Sequence, residues 1–307
     1  MSGLRNAPRG VKASLVAAAL TMLLACGAAQ EGAGVEVRER IEDLEEGQEV
    51  SFAQMVADLS TTRVVYVGEE HDDPLHHAAQ LQILEALHDR DPSLALGLEM
   101  VQRPFQPALD AWVAGEGDEA ALVEGVEWEE RWGFDFALYR PLFEACRERG
   151  IPMVALNAEK ELTRAVARNG LDALDDEERA RLPELDLAVS AHREMIHEAL
   201  SDHPHMTPGF FERMYAAQVV WDETMAERVA GVLEASDGPA RMVVIAGSFH
   251  VRQGLGIPDR AARRGATPYR IVLPVSPDDE PTRTPSSSGD SPPSRYRWVL
   301  SGRHRTP

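Results

Sequence analysis

Four short segments constrain this chain more than anything else in it. Each is an apolar, strand-like run that stops on a polar group. Val64-Val65-Tyr66-Val67 leads into Gly68-Glu69-Glu70-His71, Leu94-Ala95-Leu96-Gly97-Leu98 into Glu99, Met153-Val154-Ala155-Leu156 into Asn157, and Met242-Val243-Val244-Ile245-Ala246 into Gly247-Ser248-Phe249-His250. Near-continuous apolar runs of this length are strands covered on both faces, as in a parallel sheet. If the four run parallel, their polar ends open on one rim, the carboxyl ends of the strands, where open α/β sheets bind ligands. The first and last runs also share the spelling Gly-x-x-His, from Gly68 to His71 and from Gly247 to His250. Tyr269 to Val275 reads as a fifth strand.

The stretches between these runs read as helices. Ser51 caps a short one through Asp58, and Asp73 with Pro74 opens one that runs to about Asp89, with Ala78, Leu81, Leu84 and Leu87 as its buried face. His76 and His77 fall in its first turn and read as surface histidines. Residues 103 to 150 carry three helices, starting at Arg103, Asp118 and Phe136. Between the last two, Trp128-Glu129-Glu130-Arg131-Trp132-Gly133-Phe134-Asp135 holds two of the five tryptophans. These aromatics either join a helical layer to the sheet or form the wall of a flat ligand's site. Behind the third strand runs a helix from Lys160 to Arg168, and there the α/β alternation stops. Residues 171–236 read as helices alone, over 175–182, 185–202 and 208–235, with His203 and His205 solvated in the break before Pro208. The expected fold is α/β, a mainly parallel sheet of about five strands flanked by helices, with a smaller all-helical cap inserted between the third and fourth strands.

The ends of the chain are of another kind. Arg5, Arg9 and Lys12 precede an apolar stretch, 15–24, too short to span a bilayer, and Leu23-Leu24-Ala25-Cys26 resembles a bacterial lipobox. Residues 1–25 are therefore expected to be a lipoprotein signal peptide, with Cys26 lipidated and the chain anchored to a membrane in the periplasm. Residues 26–48 read as an acidic tether, 49–275 as the α/β domain with its cap at about 171–236, and 276–307 as a disordered tail rich in Asp, Pro, Thr and Ser. Arg295, Arg297, Arg303 and Arg305 in that tail have no evident role. Loss of 1–25 removes three positive charges and no negative one, making the net charge of −20 three units more negative. A body this acidic excludes non-specific binding to nucleic acid and leaves membrane contact to the lipid. With Cys26 committed, Cys146 is the other cysteine, so neither an intrachain disulfide nor a cysteine-rich metal site is expected.

The rim offers His71, His250, Glu69 or Glu70, Glu99 and Asn157, imidazole and oxygen donors of the kind that hold zinc, manganese or iron. Glu69 shares a strand side with His71, whereas Glu70 points away. The same groups can work without a metal, as a hydrolase in which a histidine is general base and Glu99 orients it. A carboxylate directly behind Leu96-Gly97-Leu98 is costly to bury without a partner. Arg252 lies close enough to reach an anion near His250. An activated serine is not indicated, because Ser248 follows a single glycine and no Gly-x-Ser-x-Gly elbow exists. Neither a Walker-type phosphate loop nor a Gly-x-Gly-x-x-Gly fingerprint occurs.

Longer segments carry a resemblance. Gly68-Glu69-Glu70-His71-Asp72, Gly97-Leu98-Glu99-Met100, Gln102-Arg103-Pro104-Phe105, Arg131-Trp132-Gly133-Phe134-Asp135-Phe136 with Tyr139-Arg140-Pro141, Ala155-Leu156-Asn157-Ala158, Trp221-Asp222-Glu223-Thr224-Met225-Ala226 and Gly247-Ser248-Phe249-His250-Val251-Arg252 occur in this order. Together they resemble the ChaN-like haem-binding lipoproteins over roughly residues 50–275. The resemblance implies a lipid-anchored periplasmic protein that binds haem for iron acquisition or storage. It also implies a homodimer that brings two haems face to face, each ligated by a tyrosine. It reaches further, to the Tiki, TraB and erythromycin-esterase group, whose members keep paired histidine and glutamate motifs and include hydrolases. His71, Glu99 and His250 match that motif. The haem-ligating tyrosine is not assigned by the resemblance. A phenolate ligand must reach a pocket near a cation, which makes Tyr139, beside Arg140 and the tryptophan-rich stretch, the first choice and Tyr215 the second. On this reading haem is the cofactor, Trp132, Asn157 and Arg252 border it, and a divalent metal belongs to the hydrolase alternative.

Overall fold

The apolar runs are strands of one sheet, and that sheet is wider than the five they account for. The computed structural model describes residues 36–201, 207–277 and 295–303. Among these, the strands are β1 (Glu36–Asp43), β2 (Gln48–Val50), β3 (Val64–Glu69), β4 (Leu94–Gln102), β5 (Met153–Asn157), β6 (Arg241–Gly247), β7 (Tyr269–Val275) and β8 (Tyr296–Arg303). Their order is β2-β1-β8-β7-β3-β6-β4-β5. The six from β8 to β5 run parallel, and β1 and β2 are antiparallel additions at one edge.

This corrects the expectation of about five strands, and it corrects the reading of 36–43 as tether and 296–303 as disordered tail. Each segment looks solvated when read alone because charges interrupt it. Paired, they complement one another. Glu42 stands opposite Arg297, with Nη1 3.2 Å from Oε2, and Arg295 reaches Asp43 at 3.1 Å and Glu45 at 2.6 Å. Cross-strand pairs of opposite charge stabilise such a ladder, while Ile41 and Trp298 turn into the core. Arg295 and Arg297 thereby acquire a role. Cys26, His203, His205 and Arg305 lie outside the described residues.

Helices cover both faces. On one lie α1 (Phe52–Leu59), α2 (Pro74–His88), α3 (Gln106–Val113), α4 (Glu119–Gly125), α5 (Trp128–Arg131) and α6 (Phe136–Arg149), packed on Val65, Val67, Leu96, Leu98, Ile245 and Val272. The alternate strand residues Tyr66, Ala95, Leu156, Val244 and Ala246 meet α10 (Pro208–Glu234) and α12 (Ile257–Arg263). Local chemistry sets the boundaries. Ser51 and Gln54 form a capping box on α1, Asp73 accepts from the Leu75 N–H with Pro74 at the first position of α2, and left-handed Gly150 ends α6.

Between β5 and β6 the described chain is helical, with α7 (Lys160–Asn169), α8 (Asp176–Ala180), α9 (Ser190–Leu200) and then α10. The second half of α10 packs on the sheet through Met225, Ala226 and Val229. Its first half packs on α7 through Ala217 and Val220 and on α9 through Phe211, Tyr215 and Val219. One long helix thus ties this segment to the sheet. Helix α2 is rotated relative to expectation, burying His76, His77, Ala79, Gln80, Ile83, Leu84 and Leu87 and leaving Ala78 exposed. The two histidines are therefore interior groups, and His77 Nδ1 lies 3.5 Å from the buried carboxylate of Glu69 at the end of β3.

Candidate functional site at the strand ends

Parallel pairing sets the carboxyl ends of β3, β6, β4 and β5 side by side. Glu69 closes β3 opposite Gly247 at the end of β6, and Glu99 follows Leu98, which pairs with Ile245. Past Gly247 the chain turns at once into α11 (Ser248–Val251), which carries His250. Gly247 has an ordinary φ of −51°, so its glycine is required by space and not by conformation. A Cβ there would stand 2.8 Å from His71 Cε1 and 3.6 Å from Glu99 Oε2.

Two carboxylate-backed imidazoles meet across this glycine. On one side His71 Nδ1 donates to Glu69 Oε1 at 2.7 Å, and the buried Glu69 also accepts from Tyr139 Oη at 2.6 Å and from Gln80 Nε2 at 2.8 Å. His77 Nε2 donates to the His71 carbonyl at 3.1 Å, and the Glu70 N–H donates to His76 Nδ1 at 2.9 Å, fixing the loop. Burial disfavours charge on His71, but the bond to Glu69 and the charges of Glu99 and Glu69 outweigh it and raise the pKa. His71 Nε2 makes no hydrogen bond among the described residues; it lies beside Gly247, where a Cβ would stand 3.2 Å away, and the side chain as a whole is 29% exposed.

On the other side His250 Nδ1 donates to Asp222 Oδ1 at 2.6 Å while Nε2 lies 3.2 Å from Glu99 Oε1. Glu99 Oε2 accepts the Gly247 N–H at 2.6 Å. Burial works against a charged His250, yet Glu99 and Asp222 hold its pKa well above the usual value. Burial likewise opposes ionisation of Glu99 and Asp222, and the neighbouring histidines outweigh it and lower both pKa values. The chain of polar groups continues inward. His192 Nε2 lies 3.2 Å from Asp222 Oδ2, Arg260 Nη2 donates to His192 Nδ1 at 3.1 Å, and Arg260 pairs with buried Glu223.

The other residues singled out in the sequence fall as follows. Asn157 donates to the Glu99 carbonyl at 2.9 Å and so ties β5 to β4 where their register shifts, taking no place among the charged groups. Trp132 and Phe134 lie 4.6 and 5.0 Å from the His71 ring, whereas Trp128 is buried and donates to the Phe134 carbonyl. The aromatic stretch is thus packing at Trp128 and rim wall at Trp132 and Phe134. Arg252 stacks its guanidinium 3.7 Å above the ring of Phe249, which is 39% exposed, and makes no ion pair or hydrogen bond among the described residues. Burial lowers its pKa, opposed by the charges of Glu70 and Glu198. Apart from these groups, a groove of about 490 Å³ is lined by Ser190, Arg193, Glu194, His197, Glu198 and Phe211.

Two sequence expectations are corrected. Tyr139 is fully buried with its hydroxyl spent on Glu69, and Tyr215 is 1% exposed with its hydroxyl 3.3 Å from the Val189 carbonyl. Burial raises both phenol pKa values, the opposite of what a phenolate ligand needs. His71, His250, Glu69 and Glu99 also do not converge as a divalent-metal set. Each carboxylate is engaged by its own imidazole and by other donors, and no cluster of three metal-ligating side chains occurs among the described residues. Gln80, His192 and Asp222 were missed as members of the network. Asp222-Glu223 set between Val219-Val220-Trp221 and Met225-Ala226 was the available signal, since carboxylates flanked by apolar residues on both sides must meet buried cations.

Comparison with known proteins follows this geometry. A protein from Arabidopsis thaliana, Protein RETICULATA-RELATED 5, chloroplastic, is 26% identical over 263 residues, which cover 80% of this chain and 35% of that one. The chain thus spans about a third of that relative. Among solved structures, a ChaN of Campylobacter jejuni described as showing cofacial heme binding superposes with a TM-score of 0.66 at 17% identity, over 86% of this chain and 97% of that chain. This is a likeness of fold. A mutant of the erythromycin esterase EreC in its open conformation gives 0.47 at 14% identity over 87% and 83%. The model of one family, described as haem-binding uptake, Tiki superfamily, ChaN, matches residues 55–261, a span that takes in His71, Glu99, Asn157 and His250, and it is to this family that the chain belongs.

Proposed function

We propose that this chain is a lipid-anchored periplasmic protein that binds haem at the strand-end rim and serves haem or iron acquisition or storage. The observation that carries the reading is that the haem-binding family match, 55–261, spans every strand end of the rim. The chemistry there suits a porphyrin. The partly exposed His71 imidazole packs against Trp132 and Phe134, and the Arg252 guanidinium, without an ion pair among the described residues, stands on exposed Phe249, a combination fitted to an apolar ring with carboxylate substituents. Helices α9 and α10 would act as the cap beside it. Bound haem would supply an iron centre, while this chain's residues orient the ring and limit its exposure to water. Cys26 would carry the lipid, and a homodimer would pair two rims.

Titration of the full chain with ferric haem tests the reading, and a saturable, shifted Soret band at one haem per chain is expected. A spectrum that remains the sum of free haem and protein contradicts it. Acyl labelling that disappears in Cys26→Ala tests the anchor.

A second reading rests on the facing imidazoles. His71 Nε2 can take a proton from water while Glu69 stabilises the imidazolium, and His250 between Glu99 and Asp222 can hold a developing anion. Ester or peptide hydrolysis lost in His250→Ala supports a hydrolase, and absence of turnover across a broad panel removes it.

A further inference from the structure

This inference rests on the haem reading above and concerns what the iron meets. The family resemblance carries a tyrosine ligand, and this chain's tyrosines do not fit that part. All five lie within the described residues. Tyr66, Tyr139 and Tyr215 are buried in the sheet or between helices, Tyr269 Oη donates to Asp259 Oδ1 at 2.5 Å, and buried Tyr296 donates to Asp58 Oδ2 at 3.0 Å. A phenol becomes a ligand by losing its proton and turning its oxygen outward. Burial, the first cause in each case, pushes all five the other way, Tyr296 to about 12.

The imidazoles at the rim differ sharply in what they have left to give. His250 spends both nitrogens on carboxylates. His77 spends Nε2 on the His71 carbonyl and holds Nδ1 against Gln80 Oε1 at 3.1 Å, and His76 Nδ1 accepts the Glu70 N–H. His71 alone among these four joins a partly exposed side chain to a nitrogen that makes no hydrogen bond among the described residues. With Nδ1–H held by Glu69, the neutral ring keeps its lone pair on Nε2, the arrangement by which carboxylate-backed histidines are prepared to bind a metal.

The geometry points to His71 Nε2 as the axial ligand of a haem held on this rim, with Tyr139 behind it as a positioning residue that orients Glu69. One bond forms, between iron and Nε2, a solvent ligand leaves, and the Nδ1 proton stays with the Glu69 pair, so no oxidant or base is required. Arg252, on exposed Phe249 and without an ion pair among the described residues, fits a propionate carboxylate of the same haem.

The experiment is ferric-haem titration of the full chain followed by magnetic circular dichroism and electron paramagnetic resonance, which distinguish imidazole from tyrosinate ligation. Wild type is expected to give the imidazole class. His71→Ala and His71→Gln are expected to lose it while keeping the far-ultraviolet circular dichroism of the fold, and added imidazole restores it in His71→Ala. Tyr139→Phe is expected to keep the imidazole class with affinity weakened roughly 10-fold or more, as for other groups that orient a ligand. Tyr215→Phe is expected to match wild type. A tyrosinate spectrum in wild type, an unchanged spectrum in His71→Ala, or loss confined to His197→Ala overturns the assignment while leaving haem binding intact. A wild type with no saturable band overturns the haem reading itself.

Discussion

Asp222→Asn should reveal how strongly the rim is tied to the interior. The carboxylate is fully buried, 2.6 Å from His250 Nδ1 and 3.2 Å from His192 Nε2. The amide keeps the shape and removes the charge, and neutralising one partner of a buried charge pair costs about 3–5 kcal/mol. At about 2–4 °C per kcal/mol for a domain of this size, the melting temperature should fall by roughly 6–20 °C. The cost depends on pH with a definite sign. Burial opposes charge on Asp222, but its histidines lower the folded pKa, so its contribution is present above the unfolded carboxylate value of about 3.9 and is lost as pH falls through the folded one. Burial also opposes charge on His250, but Glu99 and Asp222 raise its folded pKa. That contribution is present below the unfolded value of about 6.5 and is lost as pH rises through the folded one. The gap between wild type and variant should therefore be widest between roughly pH 4 and 6.5 and narrow in alkali. Urea denaturation followed by circular dichroism at a mildly acidic and an alkaline pH reads this directly. A gap under about 1 kcal/mol in mild acid, the size of an ordinary surface change, or one that widens in alkali, refutes the buried-pair account.

Three further outcomes follow from particular contacts. Gly247→Ala places a methyl 2.8 Å from His71 Cε1 at an unstrained backbone position, so the fold should persist while haem affinity falls about tenfold or more; unchanged affinity would show that His71 is not held against Gly247 in use. Gln106 bonds the outer edge of β5, donating to the Met153 carbonyl at 2.7 Å and accepting the Ala155 N–H at 2.8 Å. Gln106→Leu should cost about 1–3 kcal/mol and promote association visible in light scattering, and a monodisperse variant of unchanged stability would contradict this role. Trp298→Ala in β8 should cost about 3–5 kcal/mol in chemical denaturation because the ring is fully buried and lies 5.4 Å from Phe52, whereas a loss under about 1 kcal/mol would return this segment to the tail.

The strands that position the site were legible because a strand buried on both faces must be apolar throughout, and few other elements look like Met242-Val243-Val244-Ile245-Ala246. Edge strands carry no such mark. Arg40-Ile41-Glu42-Asp43 and Tyr296-Arg297-Trp298 alternate charge with apolar residues, and their meaning emerges only when Glu42 meets Arg297 across a ladder that joins residues far apart in sequence. The rim histidines and glutamates stood out for the same reason as the strands, each following an apolar run. Their supports did not. Gln80, His192 and Asp222 come from helices whose rotation is decided by the buried charge they must satisfy, and a helical pattern read for apolar residues alone turns α2 to the wrong face. The choice of tyrosine failed on burial, since Tyr139 adjoins Arg140 in sequence while Arg140 pairs with Glu119 away from the phenol.

Where haem protects the backbone shows most directly where it binds. Backbone hydrogen exchange of the full chain, with and without one equivalent of ferric haem, is expected to slow at residues 69–73, 130–135 and 247–254, the segments that carry His71, Trp132, Phe134, Phe249 and Arg252. Protection confined to other segments, or exchange unchanged by haem, would contradict a haem site at the carboxyl ends of the strands.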